Sequence, residues 1–406
     1  METKSKDLRT GRSIWEDRQA PSVAHAPLTR DIKTDVLVIG AGITGAMIAD
    51  ALTAEGLKVV IADRRGPAKG STTASTALVQ YEIDTPLTKL ARKIGARNAT
   101  RAWRRSALAV NALAARFEDL KAAAEHRRSL FLAGNELGRA GLLSEHDARR
   151  AAGLTSQFLD RKQLRDYAGI DRPAALLGSP NMTIDPRKIT RALLRECTVE
   201  RGLKIFAPAD IVDVRASRAG VTAIADSGHH IACRHLIFAS GYEFPKSVPQ
   251  RGHSITSTWV IATVPQRKNL WPSECTIWEA SDPYLYLRTT PEGRVICGGE
   301  DEEFSDAEKR DALMDRKIRT LRRKLHKLLP KLDTRVDYAW AGAFGQTSTG
   351  LPTIGQIPGM PNCYAALGYG GNGITYARIA TEVICGALTG RADIDADLYD
   401  FPRPKA

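Results

Sequence analysis

Three glycines, Gly40, Gly42 and Gly45, stand in the spacing Gly-x-Gly-x-x-Gly, and an acid, Asp63, follows after one helix-like and one strand-like run. This set of residue types suits a dinucleotide. Gly40 allows a tight turn, Gly42 lets the backbone approach a pyrophosphate, and Gly45 lets the next helix pack closely on the strand. The N–H groups of Ile43 and Thr44 open that helix and present its positive end to phosphates. Asp63 accepts hydrogen bonds from ribose hydroxyls. Arg64 and Arg65 beside it would suit a 2′-phosphate, but the retained carboxylate repels one, so the motif leaves NAD and FAD open.

The elements that must position these groups read clearly. Residues 36–39 form a continuous apolar strand, residues 45–55 an alanine-rich helix ended by Gly56, and residues 58–62 a second strand. Residues 69–87 are dense in small hydroxyls. Ser71, Thr72, Thr73, Ser75 and Thr76 can bond a pyrophosphate from its other side, or can simply cap a helix. Residues 202–243 give a short strand, an alternating hairpin and an apolar strand at 236–239, where Ala239-Ser240-Gly241 closes the run. Near the end, the strand-like run 363–367 meets Gly368, Gly370, Gly371 and Gly373 before a helix-like run at 374–388. Glycine weakens such a junction locally, so a close approach or an unusual backbone angle must compensate.

The 406 residues are 43% hydrophobic and 26% charged, a globular composition long enough for two lobes. The net charge of +13 admits polyanions, anionic membrane surfaces and acidic small molecules as partners, with an arginine-rich solvated surface as the simplest reading. The first 30 residues are polar, without a signal-peptide core, and no apolar window is long enough to span a membrane. Six scattered cysteines without a Cys-x-x-Cys pair read as buried thiols of a cytoplasmic protein. The histidines show no metal spacing, and no metal is expected.

Four blocks in order, "VIGAGITG", "GSTTASTALVQYEID", "RHLIFASGYE" and "GAFGQTSTGLPTIGQIPGMPNCYAALGYGGNGITYA", together with "SIWED" before the first strand, resemble the D-amino acid oxidase, glycine oxidase and sarcosine oxidase family. The γ-glutamylputrescine-oxidase-like branch is the nearest in pattern. The resemblance implies an α/β fold with an α+β second lobe, in which a Rossmann-like FAD-binding domain interleaves with an antiparallel-sheet substrate domain. The expected division is an arm at 1–30, a FAD-binding domain at 31–125, 183–250 and 335–406, and a substrate domain at 126–182 and 251–334. It also implies FAD contacts from Ala77, from the backbone of Ile211 at adenine, from Gly350-Leu351-Pro352 in a turn, and from Gly370, Gly371, Asn372, Gly373, Ile374 and Thr375 beneath the isoalloxazine. There, N–H groups and a helix N-terminus stabilise negative charge on reduced flavin. No cysteine lies between Ala343 and Thr347 and no histidine lies at 66–85, so the FAD is expected to be non-covalent.

Tyr284, Tyr286 and Arg288 alternate with Leu285 and Leu287 and so share a strand face, with Pro291-Glu292-Gly293 as the hairpin turn. By analogy that face lines the substrate pocket or faces solvent, and Phe344 and Tyr369 join it as candidates. Residues 251–263 form another strand, with His253 more readily structural than catalytic. Amino-acid-oxidising relatives hold the substrate carboxylate with arginines at positions matching Phe344 and Gly371. Their absence favours an amine over a simple α-amino acid. The expected reaction is FAD-dependent oxidation of a C–N bond in an amine or amino acid, with oxygen or a quinone as acceptor and no general base named. An FAD monooxygenase and an RNA-modifying flavin-fold module are the alternatives. In residues 314–331, Met314, Ile318, Leu321, Leu325 and Leu328 form one helical face and the rest is basic. A packed helix with a solvated basic face is expected, ahead of peripheral membrane contact or a nucleic-acid site.

Overall fold

The structure, a computed structural model, describes residues 7–122, 124–243, 245–248 and 252–401. One sheet has eight strands among them. Its main path runs Thr353–Gln356, Cys363–Leu367, His230–Phe238, Ile32–Ile39, Val59–Ala62, Lys204–Phe206, and every neighbouring pair after the first is parallel. Alternation splits these apolar strands between two cores. Val36, Val38, Ile61 and Ile237 pack with residues of the helices Ile43–Ala54, Ala96–Asp119, Pro186–Glu200 and Gly373–Leu388. Leu37, Ile39, Val60 and Phe238 pack with the meander Ile211–Ser217 and Gly220–Ala225. Burial on both faces is why these strands carry unbroken hydrophobic runs.

The second sheet has ten strands among the described residues and is largely antiparallel. Its path is Arg9–Gly11, Val336–Thr347, His253–Thr263, Val295–Glu302, Leu285–Thr289, Thr276–Glu279, Glu125–Leu132, Ala174–Thr183, Leu78–Gln80, with Thr155–Asp160 beside Ala174–Thr183. Three of these strands come from segments outside the expected substrate domain. Val336–Thr347, assigned with 335–406 to the nucleotide lobe, pairs along its length with His253–Thr263. Leu78–Gln80 and Arg9–Gly11 join the same sheet. Pairing partners far apart in sequence decide membership, and a strand's own pattern does not name them. The expected strand at 251–263 begins at His253, and Arg251 lies outside the described residues.

The basic segment forms the helix Met314–Leu328, with Leu321, Leu325 and Leu328 buried in the core of this sheet. Lys317 also turns inward, one turn from Leu321 on the buried seam. Its ammonium donates to Glu300 O at 2.6 Å, pairs with Glu302 at 2.7 Å and lies 4.5 Å from the Trp259 ring centre. Among the described residues no helix is long and apolar enough to cross a membrane.

Candidate active site

Four adjacent parallel strands stop just before Asp63, Gly40, Ala239 and Gly368, and one cavity runs along these ends. Strands lie about 4.8 Å apart, so three spacings separate its two ends by roughly 14 Å.

At the first end Gly40 holds φ +118°, and a Cβ there would lie 2.4 Å from Ala239 O. A Cβ at Gly45 would lie 1.9 Å from Gly40 O, so Gly45 serves the close helix packing and is not part of the lining. The helix Ile43–Ala54 starts without a side-chain cap at Gly42, while the Ile43 N–H donates to Thr72 Oγ1 at 3.1 Å. Ile43, Thr44, Ser71, Thr72, Ser75, Thr76 and Ala77 face the same space. Asp63 lines it too, but its carboxylate already accepts the N–H groups of Ala41, Arg65 and Gly66 at 2.6–2.7 Å. A carboxylate offers about four lone-pair sites, so roughly one remains for a ribose. Arg64 pairs with Asp210 at 2.8 Å and Arg65 with Glu243 at 2.7 Å. Ile211, Ala239, Ser240 and Gly241 complete this end.

At the second end Gly370, Gly371, Asn372, Gly373 and Ile374 line the cavity, and the helix Gly373–Leu388 also begins without a side-chain cap. Three bonds stitch this junction to alternate residues of the segment 80–84. Thr375 Oγ1 donates to Gln80 O, Asn372 Nδ2 to Glu82 O, and the Gly371 N–H to Asp84 Oδ2 at 2.8 Å. Asp84 is open to the cavity but otherwise enclosed, and burial raises its carboxyl above the usual range against the Gly371 N–H. Glu82 is buried beside it and raised by the same cause, with Ser129 donating to it and Arg149 at 4.0 Å.

Trp278, Tyr242, Tyr284, Tyr286, Thr258, Phe344 and Tyr369 form the wall. The Tyr286 ring occupies the space that a side chain at Gly298 would need, since a Cβ there would lie 2.4 Å from it. The Tyr284 hydroxyl donates to Asp301 Oδ2 at 2.7 Å. Burial lifts Asp301 to about 6, with the hydroxyls of Thr258 and Tyr284 opposing the rise.

Several sequence candidates stand elsewhere. Arg288 is 2% exposed and outside the lining, and its Nη1 donates to Thr76 O, Ala77 O and Ile184 O at 3.2, 2.9 and 2.7 Å. With no solvent to stabilise its charge, burial lowers it to about 9. Those three carbonyls occupy the guanidinium that a substrate carboxylate would have used. Gly350, Leu351 and Pro352 form a turn behind the cavity, where Tyr376 donates to Gly350 O at 3.0 Å. Thr375 is spent on Gln80 O, and His253 sits 3.3 Å from Thr353 Oγ1 outside the lining. The reading of the sequence passed over Glu82, Asp84, Asp301, Trp278, Tyr242 and Thr258. For the first two the signal was present: acids at alternate positions of "VQYEID".

Two uncapped helix N-termini, a glycine floor and a hydroxyl loop fit FAD, with phosphates suited to the first terminus and a ring that gains negative charge suited to the second. No cysteine or histidine is among the described lining residues, and no metal-binding cluster occurs among the described groups.

Comparison with known proteins agrees with this fit. The probable oxidoreductase OrdL of Haemophilus influenzae is 23% identical, covering 93% of this chain and 88% of its own. The glycine oxidase of Bacillus licheniformis is 23% identical, covering 88% and 93%. The L-proline dehydrogenase from P. horikoshii shares the fold with a TM-score of 0.75 at 17% identity, covering 91% of this chain and 97% of its own. Residues 35–385 match the DAO family, and the chain is therefore an FAD dependent oxidoreductase belonging to that family.

Proposed function

We propose that this oxidoreductase oxidises a C–N bond of a cationic amine that carries no carboxylate beside the reacting carbon. The observation that carries the reading is the sign of charge at the second end of the cavity. Its carboxyl groups there are Asp84 and Glu82, the latter 4.0 Å from Arg149, which also pairs with Glu145, and Asp301 stands behind Tyr284, while the cations of the described lining, Arg64 and Arg65, belong to the Asp63 end. A carboxylate substrate would meet repulsion in this environment, and an ammonium would meet attraction.

Bound in the cavity, FAD supplies the hydride acceptor. Asp84 holds the ammonium and can take the proton that it must lose before the neutral amine gives up hydride, and the position of this carboxylate is set by the Gly371 N–H. Tyr284 and Tyr286, with rings 5.7 Å apart, offer aromatic faces and hydroxyls to the cation and exclude water from the alkyl chain. The reading takes a soluble electron acceptor such as dioxygen, because the apolar face of the basic helix is buried against the sheet. In cell extracts the protein is expected in the soluble cytoplasmic fraction.

The test is anaerobic titration of the FAD-loaded protein with paired substrates, each amine set against its α-carboxylated analogue. The amine is expected to bleach the flavin and the amino acid to leave it oxidised. Faster bleaching by glycine or a D-amino acid than by any amine would sink the proposal.

A further inference from the structure

The loop Ser71–Ala77 is gripped from behind at four consecutive carbonyls. Ala74 O accepts from Trp340 Nε1 at 2.9 Å and Ser75 O from Trp15 Nε1 at 2.7 Å. Thr76 O and Ala77 O both accept from Arg288. Trp15 and Trp340 are fully buried, and Arg288 stands 5.6 Å from the Trp15 ring centre. None of these three donors lines the cavity, whereas Ala74, Ser75, Thr76 and Ala77 all do.

This arrangement determines which way the peptides face. In a trans peptide the C=O and the following N–H point in opposite directions. Drawing the Ser75 carbonyl onto the buried Trp15 indole turns the Thr76 N–H the other way, toward the cavity side of the loop. That N–H has no acceptor among the described groups, whereas the Ala77 N–H is used by Ser75 Oγ at 3.1 Å. Ala77 holds φ +57°, a conformation that L residues rarely adopt and that its surroundings must enforce. Trp15 comes from the N-terminal arm, whose "SIWED" stretch folds on itself through Trp15 N–H to Ser13 Oγ at 3.3 Å and Ser13 N–H to Glu16 Oε2 at 3.1 Å.

We propose that Trp15, Trp340 and Arg288 are positioning residues for the flavin: they hold the Ser71–Ala77 loop so that the Thr76 N–H stands as a hydrogen-bond donor to bound FAD. The N-terminal arm is on this account part of the redox centre, acting through the loop without touching the cofactor. The inference rests on family membership and not on the substrate proposed above, so neither result depends on finding the amine.

Trp15→Phe keeps an aromatic ring in the core and removes the indole N–H, together with the volume of the second ring. In the FAD-loaded full-length variant the flavin midpoint potential is expected to fall by about 30 mV, a tenfold change in the two-electron equilibrium. The dissociation constant of FAD, titrated into apoprotein by flavin fluorescence, is expected to rise about tenfold. A role limited to stability would lower the melting temperature and leave both readings at the wild-type value, and that result overturns the proposal. If Trp15→Phe does not fold, Trp340→Phe, which frees the adjacent Ala74 carbonyl, is decided by the same two readings.

Discussion

Asp301→Asn removes a titrating group from behind the cavity wall, where it holds the Tyr284 hydroxyl, while keeping its shape. Burial lifts Asp301 from 3.8 to about 6. At 1.36 kcal/mol per pKa unit, keeping this carboxylate ionised in the fold costs about 3 kcal/mol at neutral pH. The folded protein therefore holds a proton that the unfolded chain has already released between about pH 4 and pH 6. Stability from this group is full below that window, falls as pH rises through it, and is lost above it. Asparagine does not titrate. Between about pH 4 and pH 8 the variant is expected to gain about 3 kcal/mol on the wild type, read by urea unfolding at the two pH values. Catalysis should report the same ionisation with the opposite preference. The ionised carboxylate accepts the Tyr284 hydroxyl and leaves the phenol oxygen free to accept from a substrate N–H. Protonated Asp301 can donate to that oxygen instead, and the phenol then presents its hydrogen to the cavity. The kcat/KM of the wild type should fall below about pH 6, and the variant should lack that limb with a value ten- to a hundredfold lower, the worth of a hydrogen bond to a charged group. If the variant keeps both the acidic limb and the wild-type slope of stability against pH, the assignment to Asp301 is wrong.

Gly371→Arg would start a side chain 3.1–3.2 Å from both Asp84 carboxylate oxygens. The guanidinium should neutralise Asp84 and raise KM for cationic amines at least about tenfold, measured by steady-state kinetics at equal FAD content; an unchanged KM would remove Asp84 from substrate binding. Lys317→Ala leaves the buried Glu300 carbonyl without its charged donor and the Glu302 carboxylate with Arg316 at 3.5 Å, so urea unfolding should show a loss of about 2 kcal/mol. Arg319→Glu on the exposed face of the same helix should stay within about 0.5 kcal/mol, and equal losses would refute the distinction between the two faces. Acid precipitation should leave all the FAD in the supernatant, because the described lining offers neither cysteine nor histidine for a covalent bond; yellow colour in the pellet would contradict this.

Both ends of the cavity were legible because each is local: strand, glycine turn and helix in one uninterrupted stretch. The second sheet was less so. The pattern of 336–347 suits either sheet, and only its pairing with His253–Thr263, many residues away, assigns it. Arg288 shows a subtler limit. Alternation placed it on the face of Tyr286, but two residues along a strand is about 6.7 Å. Over that distance the same face passes from the cavity to the underside of the Ser71–Ala77 loop. Charge runs the other way. From sequence, Phe344 and Gly371 record only that arginines are absent, and an absence does not give the pocket a sign. The fold supplies it. Asp84 comes from a segment that ends its sheet pairing at Gln80, continues across the mouth of the C-terminal junction, and sets its carboxylate where a side chain at position 371 would begin. Gly371 thus has two reasons to lack a side chain: a Cβ would crowd the carboxylate that its N–H binds, and a longer side chain would cover the charge an incoming substrate meets.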